Sequence, residues 1–442
     1  MIKYIRSGFT FLLTLCAAGA MAQTTATTSS PYSQFGLGTL SESLLPQTRA
    51  MGGIGTAVNK ISSYNTINVL NPASYGYINL TTIDVGLNGN FSTLRNSTTN
   101  GQSNGNFRLS HVLFAAPVSK RSALSFGLMP YTELGYNYRQ NASSLGTGTA
   151  TDTNAVRSIY TGDGGLSKAY LGYGFGIGKH LSFGGNVSYI FGNLRQYRSL
   201  EVVDTYGNLG ALGTRTERSN SIGGVNYDLG TQVNFDLAED MHLVFGYSAS
   251  LSTKLNSKLN NYTTQYTYDS QGNESLPIDT VYAQNLGNSK IKLPMMNHFG
   301  VSLQKDNKYL IGADYSTSNW SDFMIGGVNQ GLQKSESYRI GGQITPNFNA
   351  LHSYFARMDY RLGLRYDKTY ININNTDIKQ YAVTFGLGLP IPRNNSAFYK
   401  VNISAEVGKL GTLQNNLIRE NYVNIHLGFT LNDVWFTKYR FD

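Results

Sequence analysis

Charged side chains are scarce in this chain, so the places where they gather carry information. Arg357, Asp359, Arg361 and Arg365 alternate with Met358, Tyr360, Leu362, Leu364 and Tyr366 along one stretch. In an extended strand such alternation puts the charges on one face and the apolar side chains on the other. Asp228, Asp314, Arg339 and Glu406 fall on the same parity of their own segments. Two kinds of chemistry suit the set. Arginine presents a planar fork to carboxylates, so these residues could lock one another into ion-pair ladders. The same fork could hold an anion or a carboxylate head group.

Catalytic patterns do not emerge beside them. The histidines stand at 111, 180, 242, 298, 352 and 426, with no metal-ligand spacing and no His-Glu-x-x-His. There is no Gly-x-Ser-x-Gly elbow, and Gly53-x-Gly55 is too short for a dinucleotide loop and precedes no βαβ unit. Ser110 and His111 have opposite parity, which argues against a hydrolytic pair facing one side. The expectation is a protein that is not an enzyme and holds no cofactor or metal. The net charge of +9 has no nucleic-acid motif behind it, and an anionic glycolipid leaflet is the simpler partner.

The elements that position these charges follow from composition. Charged residues make up 14% of 442, against about 25% in soluble chains. Gly (48), Tyr (31) and Phe (21) are abundant. Aromatics at 12% exclude a disordered chain, and so much glycine excludes a helical bundle. Beyond the first 25 residues no run of about 18 apolar residues offers a membrane helix. An all-β chain remains.

Residues 1–22 read as a secretory signal peptide: Lys3 and Arg6, an apolar run from Phe9 to Ala18, then Ala20-Met21-Ala22 before Gln23. The sole cysteine, Cys16, would leave with it, since Leu15 precedes it where a lipoprotein signal needs a small residue. The mature chain would then have 442 − 22 = 420 residues, no thiol and a charge of 9 − 2 = +7.

From residue 81 to 442 the pattern is that of membrane strands, about ten residues each, apolar outward and small or polar inward. Val423, Ile425, Leu427, Phe429 and Leu431 oppose Asn424, His426, Gly428, Thr430 and Asn432. Fourteen such segments begin near 82, 106, 122, 165, 181, 216, 242, 292, 308, 335, 355, 378, 397 and 420. Connections alternate short and long, with long loops expected at about 95–105, 139–164, 204–215, 257–291, 324–335, 368–377 and 411–419. Short turns on one side, long loops on the other and an even strand count describe an antiparallel transmembrane β-barrel of the bacterial outer membrane. Tyr136, Tyr138, Tyr197, Tyr315, Trp320, Phe323, Tyr366, Tyr370, Trp435 and Phe436 lie near strand ends, where aromatic rings mark the lipid–water interface.

Residues 23–80 do not read as strand, since Pro46, Gly52, Gly53, Gly55, Pro72 and Gly76 break any long element. They are expected to fold back into the lumen as a plug (hatch), a periplasmic tail being the alternative. In the third strand Pro130 cannot donate to a ladder, which predicts an interruption in the wall or a tolerated bulge.

The stretch Arg49-Ala50-Met51-Gly52-Gly53-Ile54-Gly55-Thr56-Ala57, followed by Asn71-Pro72-Ala73-Ser74, resembles the hatch of the FadL-type outer-membrane transporters. Gly312-Ala313-Asp314-Tyr315 with Trp320-Ser321-Asp322-Phe323, and Tyr360-Arg361-Leu362-Gly363-Leu364-Arg365-Tyr366, are similar to later strands of that family. Pro31-Tyr32-Ser33-x-Phe35-Gly36-x-Gly38, Gly164-Gly165-Leu166-Ser167, and Arg419-Glu420-Asn421-Tyr422 with Trp435-Phe436 resemble Bacteroidetes outer-membrane proteins of the same superfamily. The resemblance implies passive uptake of hydrophobic or amphipathic, fatty-acid-like small molecules. Asn71, Pro72, Ala73 and Pro130 would be the ligand or gate positions, with exit through the wall beside the third strand. Relatives of similar build serve instead as accessory or scaffold barrels in type IX secretion or outer-membrane protein assembly complexes. That alternative would need a partner-binding surface and no open path.

Overall fold

The computed structural model describes residues 30–60, 64–97, 101–142, 155–203, 209, 212–268, 274–275, 277–394 and 397–435. The signal-peptide residues, Cys16 and Phe436 lie outside them. The chain forms one closed antiparallel barrel of fourteen strands. They are β1 (Thr81–Arg95), β2 (Gln102–Ser119), β3 (Ser122–Ala142), β4 (Ala155–Ile177), β5 (Leu181–Val203), β6 (Gly213–Ala238), β7 (Met241–Ser250 and Lys254–Tyr266) and β8 (Asp279–Lys292 and Met296–Lys305). There follow β9 (Tyr309–Asn319), β10 (Lys334–Ile344), β11 (Asp359–Ile373), β12 (Thr376–Asn394), β13 (Ala397–Gly411) and β14 (Arg419–Asp433). The ring closes where β14 pairs with β1 from Arg419–Arg95 to Asp433–Thr81.

The period-2 pattern sets which way each side chain points. Leu124, Phe126 and Leu128 are exposed while Ser125 is buried; Val187 and Tyr189 are exposed while Asn186 and Ser188 are buried. An apolar exterior around a polar interior is stable only with lipid outside, and the closed ladder pairs most of the backbone there. Among the described residues no helix is long and apolar enough to cross a membrane.

Several strands are longer than the sequence suggests. β4 and β5 have 23 residues and β6 has 26, whereas about ten span a bilayer. Much of the expected loop 257–291 is therefore strand, the outer parts of β7 and β8. That hairpin bends where both strands break at one level, around Ser252 and Leu293, with Pro294 supplying no N–H. The expected loop 368–377 is a tight turn at Asn374–Asn375, both with positive φ (51° and 59°), a conformation asparagine tolerates.

Candidate functional site

Residues 30–60 and 64–80 lie against the inner face of the barrel. Their polar backbone meets inward side chains from all round the wall. The N–H groups of Gly55 and Thr56 each donate to Asp314 Oδ2 on β9 at 2.8 Å. Gly52 N–H donates to Thr384 on β12 at 2.7 Å. Gln304 on β8 donates to the carbonyl of Ala57 at 2.9 Å, and Asn432 on β14 accepts from Asn65 N–H at 2.8 Å. The irregular segment thus answers its backbone groups with wall side chains.

Asn71 is the most connected of the sequence-derived candidates. Its Nδ2 donates to the carbonyls of Thr56 (2.7 Å) and Thr231 (3.2 Å), and its Oδ1 caps the turn Pro72–Tyr77 by accepting from Ala73 N–H at 3.1 Å. Pro72 and Ala73 are fully seated against the wall. A side chain at Gly184 on β5 would press into the Pro72 carbonyl, which accounts for glycine there.

The lumen charges form separate ion-pair groups. Asp359 accepts from Arg361 and Lys400, each at 2.6 Å, and from Thr345 at 2.8 Å; Arg361 reaches Gln343 and Asn402 as well. Higher in the barrel, Glu42 of the N-terminal segment accepts from Arg339 at 2.7 Å and Arg365 at 2.8 Å. Arg365 also bonds Asp367 and lies 4.0 Å from Glu406, which accepts from Tyr422 at 2.8 Å. Burial alone would raise the Glu42 carboxyl, but Arg339, Arg365 and Arg49 together hold it at about 2. A third pair joins Lys168 and Asp228 at 2.8 Å.

Arg357 departs from this arrangement. Ser353 caps a short helix, Tyr354–Arg357, so the strand begins only at Asp359. The Arg357 guanidinium lies over the Tyr354 ring at 5.7 Å in the turn that precedes the strand. Glu42 was not singled out from sequence, although it and Arg49 are the sole charged residues between 23 and 58.

Above the charges most of the lumen, save a space of about 160 Å³ beside Leu37, Leu134 and Leu194, is occupied by an apolar core. It joins Tyr32 and Leu37 to Leu134, Leu166, Ile190, Ile222, Leu255, Ile291, Trp320, Phe323 and Tyr370, among others, from most of the strands. Trp320 (1% exposed), Phe323 and Tyr370 therefore face inward; they do not join the lipid-interface belt expected from their place near strand ends. The turn Trp320–Asp322 folds over the lumen after β9 ends. Beside the Glu42 cluster a polar space of about 140 Å³ is lined by Arg49, Asn88, Arg108, Glu133 and His426.

The wall itself is interrupted at one place. β2 and β3 pair from Ser119–Ser122 up to Val112–Leu128, and the ladder ends there. β2 continues along β1, and β3 continues along β4 to Ala142, shifting register between Pro130 and Thr132. Pro130 follows within two residues of the last pair, and Tyr131 turns into the core. On the inner side Thr39 and Leu40 pair with Glu133 and Thr132, and Ser41 N–H donates to the Tyr131 carbonyl at 2.9 Å. An ion pair between Arg108 on β2 and Glu133 on β3 spans the separation.

Among solved structures the chain is similar to the CymD monoaromatic hydrocarbon channel, with 14% identity, 90% of this chain and 99% of that one covered, and a TM-score of 0.54. It is similar to the Pseudomonas putida toluene transporter TodX, with 16% identity, 89% and 99% covered, and a TM-score of 0.54. A Pseudomonas aeruginosa FadL homologue gives 12% identity, 90% and 100% covered, and a TM-score of 0.56. At these identities the likeness is one of fold, that of FadL-like outer-membrane barrels. No curated protein matches in sequence. The BamG family matches residues 1–442, the entire length, and the chain belongs to that family.

Proposed function

We propose that this barrel is a non-transporting accessory subunit of an outer-membrane protein assembly complex, with residues 30–80 as a fixed plug. The observation that carries the reading is the occupied lumen. The apolar core that includes Tyr32 and Leu37 occupies most of the upper lumen, leaving about 160 Å³ beside Leu37, Leu134 and Leu194, and the charges below it are spent on one another. Small-molecule sites are usually concave, largely apolar spaces of about 300–1,000 Å³, and the space beside Glu42 is smaller and polar. The family designation BamG points the same way. The projecting β7–β8 hairpin supports the reading, since it exposes Ile278, Val281, Tyr282 and Leu286 beyond the apolar band, where a protein partner could cover them. Purification from the native outer membrane in mild detergent tests the reading. A stoichiometric assembly-machinery partner is expected; a secretion-complex partner would reassign the complex, and a barrel that always runs alone would refute the proposal.

One observation favours a second reading, passive uptake of a hydrophobic or amphipathic small molecule. The ladder between β2 and β3 ends beside Pro130, and the structurally similar CymD and TodX are a hydrocarbon channel and a toluene transporter. Uptake would require Thr39–Ser41 to leave the wall. Vesicles containing the barrel should then accumulate toluene or a fatty acid faster than empty vesicles, and equal rates would dispose of it.

A further inference from the structure

The exterior of the barrel carries a feature that neither reading uses. Across β10 to β14, β1 and β2 the outer wall is a shallow, open trough with about 1270 Å³ of space over it. Its floor is apolar and faces lipid: Phe91, Ile340, Leu364, Val383, Val407 and Val423 are all exposed. Tyr338, Tyr366 and Tyr381 form its upper edge, with ring centroids 6.1 and 5.0 Å apart. Tyrosines at one height along adjacent strands mark the level where hydrocarbon gives way to head groups.

At that level, where Lys409 lies opposite Tyr381, and one strand step above it, the outward positions become basic. Lys368 lies two residues beyond Tyr366, Lys379 two before Tyr381, Lys409 two beyond Val407, Arg419 four before Val423 and Arg95 four beyond Phe91. Two of the neighbour relations put like charges directly opposite each other, Lys368 with Lys379 and Arg419 with Arg95. Such pairs are unfavourable in a sheet unless an anion lies between them. Asp377 answers Lys368 at 2.9 Å, and on the flank Lys334 is answered by Glu336 at 2.8 Å. Among the described residues no carboxylate lies within 4.0 Å of Lys379, Lys409, Arg419 or Arg95. The arc is at the end of the barrel opposite the chain's entry at Thr81 and exit at Asp433, which for this architecture is the outer leaflet.

We propose that this wall is a binding site for a phosphorylated, multiply acylated glycolipid of the outer leaflet. Its acyl chains would lie in the trough, and its phosphates would sit among Lys379, Lys409, Arg419 and Arg95. The volume suits several chains side by side, and the excess positive charge directly above an apolar floor matches an anionic amphiphile, not a neutral one.

The full-length barrel in nanodiscs of phosphatidylethanolamine doped with hexa-acylated bisphosphorylated lipid A tests this. After transfer to detergent, native mass spectrometry should find one lipid A retained on the wild type. Substituting Lys379→Gln, Lys409→Gln, Arg419→Gln and Arg95→Gln together should lower retention at least ten-fold, while the variant keeps its heat-modifiable migration as a folded barrel. If the fourfold variant does not fold, the wild type decides: fully dephosphorylated lipid A should be retained at least ten-fold less. Equal retention of the phosphorylated and dephosphorylated forms, equal retention by variant and wild type, or a protein subunit occupying the wall in place of lipid would each overturn the proposal.

Discussion

Replacing Glu42 by glutamine should loosen the N-terminal segment without unfolding the barrel. Glu42 Oε1 accepts from both Arg339 and Arg365, at 2.7 and 2.8 Å. At these separations each attraction is worth about 6 kcal/mol at an effective dielectric of 20, before the cost of desolvation. Removing one partner of a buried ion pair typically costs about 3–5 kcal/mol. Two facts lower the figure here: the Glu42 side chain is 25% exposed, and Asp367 still lies beside both arginines. A loss of about 2–3 kcal/mol remains, or roughly 30- to 150-fold in the local opening equilibrium. Hydrogen exchange at the amides of Gly52, Gly55 and Thr56 reads that equilibrium directly, because those N–H groups bond to wall side chains. The pH dependence has a definite sign. The folded carboxyl is held at about 2, below its ordinary 4.5, so its contribution is complete above about 4.5 and fades as pH falls through about 2. Wild-type protection should therefore lose this contribution only in that acid window, and the glutamine variant should lack the step. Exchange within three-fold of wild type at pH 7 would refute the idea that this cluster anchors the segment.

Gly38→Val should detach the short inner pairing at the wall break. Its φ is +100° and a side chain there would strike the Glu133 carbonyl, so a thiol introduced at Leu40 should label much faster in that variant than in an otherwise wild-type chain. Asp314→Ala removes the acceptor of two backbone N–H groups and should cost about 3 kcal/mol, seen as a lowered unfolding midpoint; Asp314→Asn, keeping one acceptor oxygen, should lose less. Deleting residues 31–75 should convert a non-conducting barrel into one with steady ion conductance in planar bilayers. An unchanged baseline would mean that wall side chains alone close the lumen.

Most of the wall was legible in the sequence because lipid enforces a strict rule. Where a strand crosses the bilayer, as in Val423 to Leu431, one parity must be apolar, and the alternation is plain. The rule lapses beyond the membrane. Asn256, Asn260 and Asn261 sit on a regular strand, but neither face meets lipid, so the stretch resembles a loop. Trp320, Phe323 and Tyr370 were misplaced for a related reason: an aromatic ring near a strand end looks the same whether it meets head groups or turns over the lumen. Arg357 kept the right parity on paper, yet Ser353 caps a helical turn that delays the strand. Arg361 and Asp359 were readable as a lumen pair because two-residue spacing on a strand dictates a shared face. Their third partner, Lys400, required the register between β12 and β13, which parity within single segments does not supply. The ion pairs of Glu42 depend on how an irregular segment threads the interior, and nothing periodic encodes that path.

The unequal seams of the wall have a mechanical consequence. The chain ends meet along β14 and β1, paired over the entire 15 residues of each strand, whereas β2 and β3 are joined only along their lower part. A hoop under outward load fails at its least-bonded joint, and here that joint lies two strands in from the N-terminal edge. Sideways tension from a neighbouring body in the bilayer would part the wall between β2 and β3, leaving β1 and β2 attached to β14 as one leaf. Arg108 and Glu133 form the ion pair that crosses that joint, while Thr39 and Leu40 back the β3 side of it from within.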